Sequence, residues 1–435
     1  MHAAIGTRDL ARQIFLRGLA ESSIARGFEK HVSCEHGVLR ICEDLYDLNA
    51  CSRAFVISIG KAAHTTLEAL VAQAGERFEG IVSSSIAPTS QLRGFRYFLS
   101  GHPVPNRDSV LSAEAMLKSL HALDESSLAI FLLSGGGSAM VEKPIDDEIP
   151  LEDLVATYRA LVLSGAPIGE INALRKHFSA VKGGRLAQAA YPAQQVSLLI
   201  SDVPEGTPDA LASGPTMPDS TTVEECYAIA RKHSMAEQFP ASTAELLRRR
   251  ALEETPKSDD PGFVRSRWWT LLSNQTALEN AAAEADRAGY PVTIDNSCDD
   301  WDYERAAEYL LNRVSELRHK MEKACLISGG EVTVKVKDGG TGGRNQQFAL
   351  ACALKLERPG ITILSAGTDG IDGNSPAAGA IADSTTVERA RARGLNANAH
   401  LAGFNAYPLF EALGDALITG PTGNNLRDLR ILLAG

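Results

Sequence analysis

AFVISIGKAAHTTLEALVAQAG, Ala54 to Gly75, decides the fold class. Its first six residues form a near-continuous, β-rich apolar run that ends on Gly60, the pattern of a strand buried on both faces. Lys61 and a helical pattern follow at once, and Gly75 closes the helix. The same handover recurs along the chain. GIVSSS from Gly80, YFLSG from Tyr97, LAIFLLS at 128–134 and VSLLIS at 196–201 read as further strands. Helices are expected near 152–163, 169–181 and 222–234, with another from Ser109 to Leu123 capped by Asp108. Strands alternating with helices indicate an α/β protein.

Residues 241–264 shift to charged, proline-containing composition, so a linker is placed there. The expected domains are 1–240 and 265–435, in keeping with the soft prior of roughly 150 residues per domain. In the second, TLLSNQTALENAAAEADRAGYPVTID reads as strand, helix, turn and strand. A long helix is expected from Trp301 to Met321. ACLISGG ends a strand, and EVTVKVK alternates so that Val332, Val334 and Val336 share one face. ITILSAG and DALITG complete an α/β domain with a mixed sheet.

The chain has 435 residues, a formal net charge of −11 and 44% hydrophobic residues. That acidity disfavours nucleic acid and anionic lipid as partners. Seven cysteines without a Cys-x-x-Cys suggest reduced thiols and a cytoplasmic location. Cys34, His36, Cys42 and Cys51 match no common zinc spacing. The N-terminal segment is amphipathic and mixed in charge, unlike a signal peptide, and no apolar run is long enough to span a membrane.

In open α/β sheets ligands bind beyond the carboxyl ends of the strands. The residues delivered there are Lys61, the loop Ser134-Gly135-Gly136-Gly137-Ser138, Asp202, the Gly329-Gly330-Glu331 turn, and Asp369 with Asp372. Successive glycines let backbone N–H groups converge on an anion, although a tight strand-to-helix turn would look the same. A lysine at a helix start opposes the helix dipole, which favours a phosphate-facing role for Lys61. Arg175 and Lys176 lie on a polar helix face and are candidates for holding a substrate carboxylate. Asp202, Glu331 and Asp369 are candidates for Mg²⁺, which takes one or two carboxylates and completes its shell with water and phosphate. In GGTGGRNQQ, Gly339, Gly340, Gly342 and Gly343 precede Arg344 and a helix beginning at Asn345. A permanent fork-shaped cation beside a helix N-terminus suits phosphate, and a flexible hairpin is the alternative.

INALRKHFSAVKGGRLA, SDVPEGTPDALASGPT, SGGEVTVKV with GGRNQQ, and GTDGIDG with AAGA occur in this order and together resemble the class II glycerate kinases, the glycerate 2-kinase family with a C-terminal MOFRL domain. The resemblance runs from Phe55 to Leu429. It implies two α/β domains, the N-terminal one a Rossmann-like, doubly wound sheet, with an active site in the cleft between them, and transfer of phosphate from ATP to the 2-hydroxyl of D-glycerate with Mg²⁺. It also implies functional roles for Lys61, in SIGKAAH, and Arg344, in GGRNQQ. The chain departs from the family pattern at Asn106, at Ser375-Pro376 and at Asn424, which bears on substrate identity. A homo-oligomer is compatible with the sequence. An NAD(P)H-dependent hydroxypyruvate reductase would need a dinucleotide fingerprint, which is absent. A non-catalytic anion sensor would gain nothing from the carboxylates.

Overall fold

The computed structural model describes residues 6–336, 339–356 and 359–435. The chain forms two compact units, one spanning Phe28–Leu271 and the other joining Leu272–Gly435 to the segment before Phe28.

The first unit opens with a small antiparallel sheet, β1 (Val32–Glu35), β2 (Val38–Ile41) and β3 (Asp44–Asp47). Its main sheet contains β4 (Ala54–Ile59), β5 (Glu79–Ser84), β6 (Phe95–Leu99), β7 (Leu128–Ser134), β8 (Gln194–Ile200) and β9 (Ser266–Leu272). The spatial order is β6-β5-β4-β7-β8-β9, and the pairings from β6 to β8 are all parallel. Counted along the chain from β4, this is the 3-2-1-4-5-6 order of the dinucleotide-binding fold. Alternate residues of β4 and β7 enter one core with Met116, Leu120 and Leu186 of the covering helices. The helix Ala63–Ala74 packs on β4, β5 and β7 through residues outside that cluster, so helices cover both faces. A separate helical layer forms around Phe178, Tyr227 and Leu247.

The second unit has a mixed sheet in the order β10-β11-β15-β12-β13-β14. Its strands are β10 (Val292–Ile294), β11 (Ala324–Ser328), β12 (Ile361–Gly367), β13 (Gly379–Asp383), β14 (Ala416–Leu417) and β15 (Asp428–Ala434). Only β10 and β11 run parallel to each other; the remaining neighbours are antiparallel. Helices Thr7–Glu21 and Asn274–Arg287 cover one face, and Tyr303–Lys320 and Arg344–Lys355 cover the other.

These boundaries differ from the sequence expectation of 1–240, 241–264 and 265–435. The first helix joins the second unit because it packs on Asn274–Arg287, where Gly18 lets the two backbones approach. The charged 241–264 stretch contains the helix Ala241–Arg248, and its Leu246, Leu247 and Leu252 are buried within the first unit's helical layer. Its charges pair on the surface, as Arg250 does with Glu224. β9, expected in the second domain, is the sixth strand of the first sheet.

EVTVKVK is not a sheet strand over its described residues. Thr333 bridges Asp302, and Thr333 and Glu331 hydrogen-bond to the 300–303 loop instead. The helix expected from Ser109 spans Arg107–Leu120. Its cap is Asn106, whose Oδ1 accepts the Ser109 N–H at 3.0 Å, rather than Asp108. Among the described residues no helix is long and apolar enough to cross a membrane.

Candidate active site

The strand order of the first sheet reverses between β4 and β7. Chain connections leave these neighbours in opposite directions, which opens a crevice at their carboxyl ends. β4 delivers Gly60-Lys61 there, and β7 delivers Ser134 to Ser138. The two loops are hooked together: Lys61 N–H donates to Gly135 O at 2.9 Å, and Ala62 N–H donates to Ser134 Oγ at 3.1 Å. Ser134 Oγ also donates to Ile59 O at 3.2 Å. Ser134 therefore ties the loop to β4, and its hydroxyl is spent on backbone rather than offered to a substrate. The Lys61 side chain is exposed in front of this junction.

Asp202, which follows β8, comes to the same loop. A side chain at Gly135 would place its Cβ 1.9 Å from Asp202 Oδ2, so the glycine is needed to admit that carboxylate. Ser138 Oγ lies 2.9 Å from Ser213 Oγ. Ser138 also borders a 340 Å³ pocket walled by Val104, Val155, Tyr158 and Arg175. There the Arg175 guanidinium sits 5.5 Å from the Tyr158 ring centroid, and its buried Nε has no hydrogen-bond partner. Behind it, buried Glu142 accepts from Ser179 Oγ at 2.6 Å and Tyr158 Oη at 2.8 Å, and it is paired with buried Lys182.

Lys176 does not reach this pocket. It is buried, and its Nζ lies 2.9 Å from Asp209 and 3.1 Å from Asp219. Two carboxylates already satisfy it, so it braces the helical layer. His177 is likewise structural: Nδ1 meets Ala173 O at 2.8 Å and Nε2 meets Glu254 at 3.2 Å.

The second unit carries its own cleft, of 710 Å³, lined by Glu331, Val334, Arg344, Asp369, Asp372 and Phe404 among others. Arg344 opens the helix Arg344–Lys355, and Asp428 at the start of β15 fixes it. Because β15 runs antiparallel to both β11 and β12, its start lies beside their ends, with Asp428 opposite Gly367 and Arg430 opposite Ser328. Asp428 accepts from Arg344 Nε at 2.6 Å and from Nη2 at 3.0 Å, a two-pronged geometry. Glu331 lies 2.8 Å from Nη2. Burial would favour loss of the arginine's proton, but Asp428 and Glu331 outweigh it and raise its pKa further.

Two arginines in and just before β15 support this arrangement. Arg430, fully buried, donates to Gly329 O at 2.7 Å and Gly330 O at 3.2 Å. Arg427 grips Asp299 with two 2.7 Å bonds, and Asp299 in turn accepts the Glu331 N–H at 3.0 Å. The turn carrying Glu331 is thus fastened from both sides.

The glycines of GGTGGR serve a purpose other than the one expected from sequence. A Cβ at Gly340 would sit 2.3 Å from Phe404 O, and one at Gly343 would sit 2.3 Å from Asp372 Oδ1. They admit neighbouring loops; Gly339 alone has open space beside it, while Gly342 adopts φ +146°. The helix start is also taken. Asp372 accepts the Asn345 N–H at 3.1 Å and the Gln346 N–H at 2.9 Å. Asn345 is buried, with its amide oxygen accepting from Ser365 Oγ at 2.6 Å. Asn345 is therefore a packing residue, and the helix N-terminus faces a carboxylate instead of a ligand phosphate.

Among the described residues no three His, Cys, Asp or Glu side chains group as a metal site. Glu331 and Asp369 line the second unit's cleft, and Asp202 lies on the glycine loop of the first. One or two carboxylates at a cleft that also takes phosphates suffice for Mg²⁺, so this donor set fits it better than it fits zinc.

Residues 10–248 match a family described as a domain of unknown function, DUF4147, and residues 324–428 match the MOFRL family. D-glycerate 2-kinase of Thermotoga maritima is 36% identical over 397 residues, covering 89% of this chain and 92% of that protein. The chain belongs to the glycerate 2-kinase family.

Within this family, glycerate 2-kinase of Pyrococcus horikoshii is 34% identical over 389 residues, 88% of this chain and 87% of its own. The crystal structure of a Thermotoga maritima glycerate kinase superposes with a TM-score of 0.87 at 32% identity, covering 99% of both chains. A provisionally named hydroxypyruvate reductase of Agrobacterium vitis is 35% identical over 391 residues, 88% of this chain and 87% of its own.

The glycerate 2-kinase departures noted in the sequence prove to be framework positions. Asn106 is the helix cap described above. Ser375 is buried and accepts from Gln346 Nε2 at 2.7 Å, while Asn424 donates from Nδ2 to Ser22 O at 2.7 Å. Their hydrogen bonds go to the fold, so they give no reason to expect a different sugar acid. Sequence reasoning missed Asp428 and Arg430, because charges interrupt the apolar run of a central strand. It also missed His102, which reaches the glycine loop from a separate strand.

Proposed function

We propose that this protein transfers the γ-phosphoryl group of ATP to the 2-hydroxyl of D-glycerate. The observation that carries the reading is the switch-point junction of the first unit. There Lys61 is held by the glycine loop, with Asp202 beside it, in a chain that belongs to the glycerate 2-kinase family. Phosphoryl transfer depends mainly on positioning and charge neutralisation, and this site offers an exposed cation at the carboxyl ends of the central strands.

The hydroxy acid is assigned to the first unit. Arg175, with no carboxylate partner among the described residues, and Ser138 would orient its carboxylate at the pocket's edge. The nucleotide is assigned to the second unit's cleft, where Val334 and Phe404 would meet the base and Arg344 the phosphates. Lys61 at the first unit's crevice and Arg344 at the second unit's cleft would each supply charge neutralisation for phosphate. Mg²⁺, carried by Glu331, Asp369 or Asp202 together with the phosphates, would screen the phosphate charge when bound.

The test is ADP release from ATP by the purified protein with D-glycerate, followed by direct conversion of the product with enolase. Enolase accepts the 2-phosphate, while the 3-phosphate requires a mutase first. The expected result is enolase turnover without mutase. Consumption of NADH with hydroxypyruvate, in the absence of ADP release, would replace this reading with a reductase.

A further inference from the structure

The proposed reaction, as assigned above, lacks a proton acceptor for the attacking hydroxyl. One side chain at the switch point has no other duty. His102 follows β6, separated from β7 by two strands, yet its ring lies on the glycine loop: a Cβ at Gly136 would be 2.9 Å from His102 Cδ2 and 3.1 Å from Nε2. Gly136 has φ +81°, so a side chain there would be strained as well as blocked. The loop residue that could have filled this space is the one that leaves it to the imidazole.

Lys61 and His102 thus converge on one loop, both from strands on the β4 side of the sheet's reversal point. Lys61 is anchored through its N–H to Gly135 O, and His102 is laid over the next residue. Ser138, proposed above to meet the substrate carboxylate, is two residues further along the loop. Among the described residues no hydrogen bond or ion pair holds the His102 ring. The ring is solvent-exposed at the crevice. The charged groups around it are Lys61 and, across Gly135, Asp202.

We propose that His102 is the general base that accepts the proton of the substrate hydroxyl, a role that rests on the kinase reading above. The hydroxyl oxygen bonds to the γ-phosphorus as the bond from that phosphorus to the β,γ-bridging oxygen breaks. The electron pair of the broken bond leaves with ADP. The proton passes from the hydroxyl to an imidazole nitrogen and then to solvent. Partial burial and the neighbouring Lys61 charge lower the His102 pKa below its usual value, which keeps the ring neutral and able to accept a proton near pH 7.

The test is kinetic, with chemical rescue as its second arm. The His102→Ala protein is assayed for ATP-dependent phosphorylation of D-glycerate, alone and with added imidazole, beside the unchanged protein. The expected loss in kcat is about 10²-fold or more, the ordinary size of a general-base contribution. Imidazole is expected to restore at least about tenfold of it, since the ring position is open to solvent. A kcat within about fivefold of the parent overturns the inference, and so does a large loss without rescue, which would mark a structural role. If the parent protein itself leaves glycerate unphosphorylated, the kinase reading fails and the inference falls with it; an active parent beside an unaffected variant removes the inference alone.

Discussion

Arg344 and Asp428 form a two-pronged ion pair, Nε to Oδ2 at 2.6 Å and Nη2 to Oδ1 at 3.0 Å, that fixes the guanidinium at the rim of the second unit's cleft. Asp428 is buried, whereas Arg344 keeps about a third of its side chain exposed. The carboxylate therefore orients the arginine while leaving one edge of it toward the cleft. Arg344→Ala is expected to lower kcat by about 10² to 10³-fold, the usual cost of one preorganised donor. Arg344→Lys is expected to recover little, since an ammonium cannot reproduce the fork. Near-normal turnover in Arg344→Ala would remove the residue from the mechanism.

Asp428→Asn separates orientation from charge. It keeps the shape but weakens the grip on Arg344, and it leaves buried Arg430 without the carboxylate 3.7 Å away. The expected outcome is a fall in kcat together with a lower melting temperature. A variant with unchanged KM for ATP and unchanged kcat would show that Arg344 does not need its partner.

Lys61 is held by its backbone and carries its charge on an exposed side chain, so its removal should spare the fold. Lys61→Met is expected to lose about 10²-fold or more in kcat with a melting temperature close to that of the parent. A large loss of stability in this variant would show that the side chain is structural.

Glu142 and Lys182 are both buried and paired behind the Arg175 pocket. Burial lowers the Lys182 pKa, and Glu142 opposes that shift. Removing one member leaves the other charged or forces it to neutralise, so Glu142→Ala should cost about 3–5 kcal/mol in unfolding free energy. The double variant Glu142→Leu, Lys182→Met is expected to be more stable than the single one. Equal losses in the two would deny the pairing its proposed weight.

Much of this arrangement is legible in the sequence for identifiable reasons. LAIFLLS and AFVISIG are read correctly because buried parallel strands are apolar on both faces, so no partner is needed to interpret them. Lys61 and the glycine loop follow from their position at strand ends. β15 is hidden because Asp428 and Arg430 break its apolar pattern, and only the fold shows that each has a buried partner. EVTVKVK misleads because period-two alternation describes any extended segment, including one that bonds to a loop. His102 carries no local signal, since its importance comes from Gly136, which belongs to another strand's loop. GGTGGR suggests a phosphate cradle because sequence cannot show that Phe404 and Asp372 fill the space its glycines leave.

Asp372 makes that last point testable through pH. Burial is the largest influence on its carboxyl and raises its pKa, the Gln346 and Asn345 N–H groups oppose this, and Asp428 adds to it, leaving a value of about 6 against an ordinary 3.8. The folded protein thus binds this proton more tightly than the unfolded chain does. The resulting stabilisation is fully present below about pH 4 and is lost as pH rises through about 6. A rise from 3.8 to about 6 is worth at most about 3 kcal/mol. Above pH 6 the group is ionised and places a negative charge on the Asn345 and Gln346 N–H groups of the helix Arg344–Lys355. Asp372→Asn cannot titrate. Denaturation midpoints measured at pH 4.5 and pH 7 should therefore fall more steeply with rising pH in the parent than in the variant. Parallel profiles would show that the carboxyl keeps an ordinary pKa, its four donors having outweighed its burial.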